Sequence, residues 1–348
     1  MLIKDDLIMA YEVYGEHPEY VQGKMTKRTV GRMKVDISCR SVDKSLHLST
    51  DMMHIDGDMF LILATEPLNL TLQSHIENEG KLALGMVLQG QLVVLHSRGF
   101  LPETVYTDPH NMFRSMTQDF AGVAIEVGGA NDYYVAKVDA KICRIKETYR
   151  NIKLGLLWKL PKVLVKDLVA YVVSRLNIRR TMALSENVCP RVLFTGAPVD
   201  YKKELQVAFG DYVEAYEGTD NTSRARSAAC IALHPVGNLS GLWILWKIET
   251  RTRVRRTNMR KMVTSDLIVQ AMNATAAESA IAEEISEAGE VATQQPAETV
   301  TAEQVAEAEE GRNPESNLTE RPVDDEIKVE ESAEEEIVAE EVEAGVEE

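Results

Sequence analysis

Hydrophobic and polar positions change rhythm several times along the chain. From 46 to 76 the rhythm is that of strands: "LHLSTDMMHI" leads across Asp56-Gly57 into "GDMFLILAT" and then into "NLTLQSHI". Asp-Gly between apolar runs predicts a hairpin, because both central residues of a type I′ turn need positive φ. Residues 77–97 carry Leu82, Met86, Val87, Val93 and Val94 near helical spacing and predict a helix, weakened by Gly80, Gly85 and Gly90. "ETVYTD" at 103–108 predicts a fourth strand. Pro109 behind Asp108 predicts the start of a short helix. "GVAIEVGG" at 122–129 predicts a fifth strand. Val135, Val138, Ile142, Ile145 and Ile152 form a helical stripe over 131–154, and 156–180 continue as a helix interrupted or restarted at Pro161.

Beyond 190 the rhythm shortens. "FGDYVEAYE" and "AACIALHPVGNLSGLWILWKIETRTRVRR" predict several short strands, a small all-β, barrel-like module over 186–265. "VGNLSG" at 236–241 reads as a hairpin turn without phosphate-loop spacing. From about 272 the composition collapses to Ala, Glu, Val and Thr with no aromatic residue, so 266–348 is expected to be a disordered acidic tail, with transient helix in parts. Residues 1–45, with "GKMTKRTVGRMK", read as a basic, extended, poorly packed segment. The order over 46–185 is three antiparallel strands, helix, strand, short helix, strand, long helix. That is the order of a ribonuclease H-like α/β fold, a mixed five-stranded sheet with flanking helices.

Charge sharpens this division. The 348 residues carry a net −17, but residues 271–348 hold 25 acidic and 3 basic groups, a net −22. The first 270 hold 30 acidic and 35 basic, a net +5. A mildly basic body with an acidic tail suits a body that faces nucleic acid, and a tail able to compete for its basic face. Cys39, Cys143, Cys189 and Cys230 form no C-x-x-C pair and predict reduced thiols in an intracellular protein without a zinc site. The N-terminus has charges inside its apolar run and does not read as a signal peptide. No stretch reaches about 18 uninterrupted apolar residues, so no membrane span is expected.

Two constellations could carry chemistry. Asp51 lies in mid-strand, Asp108 ends the fourth strand, and Asp139 lies beside the apolar stripe of the long helix. Their spacings are 108 − 51 = 57 and 139 − 108 = 31. Two-metal phosphoryl transfer needs acidic oxygens converging on ions about 3.5–4 Å apart, and hard Mg²⁺ prefers such oxygen ligands. The competing reading places Asp51 on a solvated sheet face. The second constellation is "KIETRTRVRRTNMRK": Lys247, Arg251, Arg253, Arg255, Arg256, Arg260 and Lys261 against Glu249. Arg251, Arg253 and Arg255 alternate and would share one strand face, suited to phosphate contacts or, alternatively, to protecting an edge strand by charge. Trp243 and Trp246 upstream read as core packing ahead of base stacking. His54 and His75 read as ordinary strand histidines, His110 as a neighbour of Asp108, and Asp56 and Asp58 as turn residues.

Residues 12–262 resemble the integrase core of copia-type retrotransposon Pol polyproteins and the small β module that follows it. "VYGEHPEYVQGKMTKRTVGR" is similar to the segment preceding that core. "STDMMHIDGDMFLILAT" is similar to its first hairpin, with Asp51 on the first catalytic Asp. "VYTDPHNMF" matches the second with Asp108, and "YVAKVDAKICRIKE" resembles the helix of the third acid, where Asp139 stands for Glu. "LPKVLVKDLVAYVVSRLNIRR", "CPRVLFTGAPVDYKKELQVAFGDYVEAYE" and "IALHPVGNLSGLWILWKIETRTRV" continue the likeness. Departures are the shortened Asp139, Tyr134 where relatives often carry His, Lys137 where they often carry an acid, and Pro109 and His110 after the second Asp. No reverse transcriptase segment is present in the sequence.

The resemblance implies a DDE-type polynucleotidyl transferase in which Asp51, Asp108 and Asp139 hold two Mg²⁺ or Mn²⁺ ions. It also implies DNA as partner, for strand transfer and integration, and assembly as dimers or larger homo-oligomers. The departures open a second reading, a catalytically degenerate nucleic-acid-binding or interaction protein derived from that core.

Overall fold

The computed structural model describes residues 9, 17–26, 44–78, 80–108, 123–128, 133–179, 188–218, 223–238 and 240–293, with side chains as far as 282. Cys39, the expected short helix from Pro109, and His110 lie outside these residues.

The first half is a mixed five-stranded sheet. Strands β1 (Ser45–Ile55), β2 (Asp58–Glu66) and β3 (Thr71–Ile76) form an antiparallel meander. Asp56 and Gly57, at φ +46° and +78°, make the tight turn that Asp-Gly predicts. Helix α2 (Lys81–His96) returns the chain to β4 (Leu101–Thr107), parallel to β1, and β5 (Ala124–Val127) follows parallel to β4. The spatial order β3-β2-β1-β4-β5 is the ribonuclease H-like order expected from the sequence.

The two faces of this sheet bury separate sets. Leu46 and Leu48 of β1 and Leu61 and Leu63 of β2 pack with Leu84, Leu88, Leu92 and Leu95 of α2. Met53 and Ile55 of β1 face the other way, onto α3 (Tyr133–Gly155). The stripe Val135, Val138, Ile142 and Ile145 is buried as its spacing predicts, and Tyr149 extends it. Helix α2 needs a correction. Of its expected stripe, Leu82, Met86, Val93 and Val94 are exposed, with Leu82 at 79 % and Met86 at 68 %, and Val87 is half-buried. Because α2 is apolar nearly all round, its pattern does not choose a face. Leu84, Leu88, Leu92 and Leu95 win because they meet the sheet.

After α3 the chain breaks before Pro161 and restarts as a short turn of helix (Lys162–Leu164) and α4 (Val165–Asn177), the restart that the proline predicts. The Asn177 side chain clips α4 to the edge strand: Thr71 N donates to its Oδ1 at 2.9 Å and its Nδ2 donates to Thr71 O at 2.7 Å. Short helices α5 (Pro190–Thr195) and α6 (Tyr201–Glu204) lead to an antiparallel sheet of β6 (Tyr212–Tyr216), β7 (Ser227–Pro235), β8 (Trp243–Lys247), β9 (Thr252–Arg256) and β10 (Met259–Lys261). Its order, β10-β6-β7-β8-β9, leaves β10 and β9 as edges, so the β module is an open sheet. Trp243 and Trp246 are buried in it. One hydrophobic cluster runs from Met53 and Ile142 through Leu168 and Val172 to Ile231 and Leu245, so the two sheets share a core across α4.

Both ends of the described chain are more ordered than composition suggests. Pro18–Lys24 forms helix α1 inside the segment expected to pack poorly. Val21 is buried in the main core, and Gln22 Nε2 donates to the buried Glu214 at 3.0 Å. Tyr212 and Ser227 donate to the same carboxylate. The expected disorder from 266 is also overturned: Asp266–Thr293 is helix α7. Met272 is fully buried, Asn273 Oδ1 accepts from Lys159 N at 2.8 Å, and Ser279 Oγ accepts from Lys162 N at 3.3 Å. Met272, with Ile268 and Val269 packed against the same core, and two hydrogen bonds to backbone N–H groups outweigh a composition that predicts no core. Residues 294–348 lie outside the described part.

Candidate acidic site and basic helix

Asp51 and Asp108 are brought together by register. The parallel β1–β4 pair runs through Ser49↔Tyr106 and Thr50↔Thr107, so Asp51 and Asp108 are the next positions along the two strands. Alternation puts Asp51 on the same face as Met53, beneath α3. Both carboxylates are half-buried. Met52 N donates to Asp51 Oδ1 at 2.7 Å. Asp51 is thus one of two acids at a cross-strand rung.

The third acid does not complete the set. Asp139 is solvent-exposed on α3. Lys137 lies two residues earlier, about 200° around the helix, in contact with Glu66 at the end of β2. One turn on, Lys141 Nζ donates to Asn69 Oδ1 at 2.7 Å. Burial, and then the charge of Lys141, draw the Lys137 ammonium down to about 8. The Glu66 carboxylate lies against this ammonium as its ion-pair partner. Among the described residues, no three His, Cys, Asp or Glu side chains stand close enough to hold an ion. The donor set as it stands thus does not fit the two ions implied by the resemblance. Of the three acids, Asp139 is the exposed one.

One pleat before the two acids lies an aromatic stack. Tyr106 and Tyr134 are parallel, with centroids 3.9 Å apart and an interplanar angle of 2°. His47 closes the group at 6.2 Å from Tyr106 and 6.0 Å from Tyr134. Tyr134 is thus a packing residue.

The arginine run is mostly spent inside the protein. Arg251 is not in the strand: it stands at φ +53° in the β8–β9 turn, with its guanidinium on Glu278 of α7. Arg253 grips the buried Asp167 of α4, with Nη2–Oδ2 at 2.7 Å, and also donates to Val163 O. His234 stands 3.5 Å from the same carboxylate. Lys247 pairs with Glu217 at 2.9 Å, Lys261 with Asp211 at 2.8 Å, and Arg256 Nε donates to Tyr216 O. Arg255 and Arg260 are exposed. The expected one-sided ladder reduces to Arg253 and Arg255, and Arg253 is engaged.

Basic residues that the strand pattern passed over lie on both flanks of the buried stripe of α3, Lys137, Lys141 and Arg144 on one and Lys146, Arg150 and Lys153 on the other. The helix holds Lys137, Lys141, Arg144, Lys146, Arg150 and Lys153 against Asp139 and Glu147, six against two, or +4 in 23 residues. Arg144 and Lys146 have no acidic partner among the described residues, and Arg144 and Arg150 are exposed. A charge count along the helix would have shown it. The smaller candidates are structural. Asp56 accepts from Tyr149 Oη at 2.6 Å and Lys153 Nζ at 2.5 Å, tying the first turn to α3. Burial alone would raise its carboxyl, but these donors hold it below the usual range. Asp58 pairs with His75 at 3.3 Å, and His54 is exposed. Cys143, Cys189 and Cys230 are free thiols. Among the described residues no helix is long and apolar enough to cross a membrane.

No family model and no curated protein matches the chain. Among solved structures, the catalytic core domain of BIV integrase is similar, with 12 % identity and a TM-score of 0.33, covering 43 % of this chain and 93 % of that one.

Proposed function

We propose that the chain is an integrase-like protein that binds nucleic acid through the basic face of α3 and no longer assembles the two-ion site for strand transfer. The ribonuclease H-like strand order and the Asp51–Asp108 rung support the integrase-like part. The observation that carries the loss of chemistry is the exposed Asp139, with Lys137 paired to Glu66 where relatives often carry an acid. Phosphate binding is supported by the +4 charge of α3 and by Lys141 and Arg144, which share one side of the helix and which no described acid neutralises. Such contacts give affinity without sequence information and release counterions, so affinity falls with salt.

A second reading, metal-dependent DNA strand transfer, is favoured by one observation, the adjacency of Asp51 and Asp108. It requires the Asp139 carboxylate to reach that rung.

The test of the binding reading is the salt dependence of affinity for a random-sequence DNA duplex. Each phosphate contact contributes about −0.9 to the slope of log K against log salt. Arg144→Ala is expected to reduce the slope by about 1, uniformly across sequences. An unchanged slope for Arg144→Ala and for Lys141→Ala would remove α3 as the binding face.

A further inference from the structure

Tyr133 opens α3 with its side chain in solvent, at 67 % exposure, yet it is held on three sides. Its ring meets Tyr134 edge-on, with centroids 5.4 Å apart and an interplanar angle of 79°. Tyr134 in turn is fixed by its parallel stack on Tyr106. The Tyr133 hydroxyl donates to Glu66 Oε1 at 3.2 Å. Glu66 also holds Lys137, whose ammonium stands 5.9 Å from the Tyr133 ring. An ordinary surface tyrosine keeps its rotamer freedom. This one is preset, and so are the rings and ion pair behind it.

A rigid exposed aromatic ring beside cations is the arrangement that stacks nucleobases in single-stranded nucleic acid. A duplex hides its base faces, whereas an unpaired end or overhang presents them. Tyr106 lies two residues before Asp108, so the stack that supports Tyr133 stands beside the acid rung. Burying the Tyr133 ring under a base also removes its exposed apolar surface from water at little entropic cost, because the ring is already ordered.

We propose that Tyr133 is a stacking platform for an unpaired nucleobase, so that the protein prefers DNA with a single-stranded end over blunt duplex. This rests on the nucleic-acid-binding reading above. The acids nearby set the orientation: the base lies on Tyr133, while its phosphates run toward the Lys141 and Arg144 side of α3 and away from Asp51 and Asp108.

The experiment uses the full chain and two duplexes of equal length, one blunt and one with a short overhang carrying 2-aminopurine. Wild type is expected to bind the overhang more tightly and to quench its fluorescence. Tyr133→Leu is expected to lose that quenching and about fivefold or more of overhang affinity, with blunt-duplex affinity unchanged. Tyr133→Phe, which keeps the ring and loses the Glu66 hydrogen bond, is expected to retain both. Equal overhang affinity in wild type and Tyr133→Leu overturns the platform while leaving nucleic-acid binding intact. Loss of both DNAs together in Tyr133→Leu, or loss in Tyr133→Phe as large as in Tyr133→Leu, also overturns it, because either marks a merely structural tyrosine. No binding of either duplex by wild type sinks the nucleic-acid reading and the platform with it.

Discussion

Arg253 on β9 and Asp167 on α4 form a forked ion pair, Nη2–Oδ2 at 2.7 Å and Nε–Oδ2 at 3.1 Å, that joins the second sheet to the helix beneath the first. A residue that the sequence offers for DNA is thus a brace between layers. Asp167 is buried, so the loss of its partner leaves a carboxylate that water reaches poorly. Removing one member of a fully buried pair costs about 3–5 kcal/mol. Arg253 is 40 % exposed and His234 remains beside Asp167, so Arg253→Met is expected to cost about 2 kcal/mol. Urea unfolding measures this. A change within about 0.5 kcal/mol would mean that the pair is only a surface contact.

Asp167 also gives stability a pH dependence. Burial pushes its carboxyl upward, but hydrogen bonds from His234 and Arg253, and their charges, hold it below the ordinary value of 3.8. A carboxyl depressed in the fold contributes stability that is complete above that ordinary value and is lost as pH falls through the depressed one. Stability is expected to decline below about pH 4, less steeply in Asp167→Asn than in wild type. Identical acid limbs for the two proteins would show that Asp167 is not the titrating brace.

Helix α2 separates packing from pattern. Leu88 is fully buried and Leu82 is almost fully exposed, on the same helix six residues apart. Leu88→Ala is expected to cost about 2.7–5 kcal/mol, and Leu82→Ala to stay within about 0.5 kcal/mol. Thermal melts of the two variants decide it, and comparable losses would place α2 the other way round.

Helix α7 is docked by Met272, whose side chain no solvent reaches. Met272→Ala is expected to destabilise the protein by about 2 kcal/mol or more, and to raise amide exchange at Lys159 and Lys162, whose N–H groups Asn273 and Ser279 accept. Unchanged exchange at both amides would mean that α7 does not hold this surface.

Much of the first sheet was legible in the residues. Strand alternation, Asp-Gly at 56–57 and the Val135–Ile145 stripe fix three strands and the long helix, because each imposes its own period or turn. The Asp51–Asp108 rung was legible too, as acids at a strand centre and a strand end. What was not legible depends on partners distant in sequence. The choice between Leu82 and Leu88 needs the sheet that α2 meets. The engagement of Arg251 and Arg253 needs Glu278 and Asp167. The order of α1 and α7 needs single anchors, Val21 and Met272, that composition averages away. Nor does the sequence show that Asp139 is exposed while Lys137, two residues earlier on the helix, meets Glu66.

The central claim is that the acid rung binds no working pair of ions although the protein grips DNA. The direct measurement is Mn²⁺-dependent strand cleavage and joining on short DNA duplexes by the full chain, beside Asp51→Asn, with DNA affinity recorded in the same samples. The account predicts no turnover by either protein and salt-dependent binding by both. Turnover by the wild-type chain that disappears in Asp51→Asn would contradict it and make Asp51 a working metal ligand.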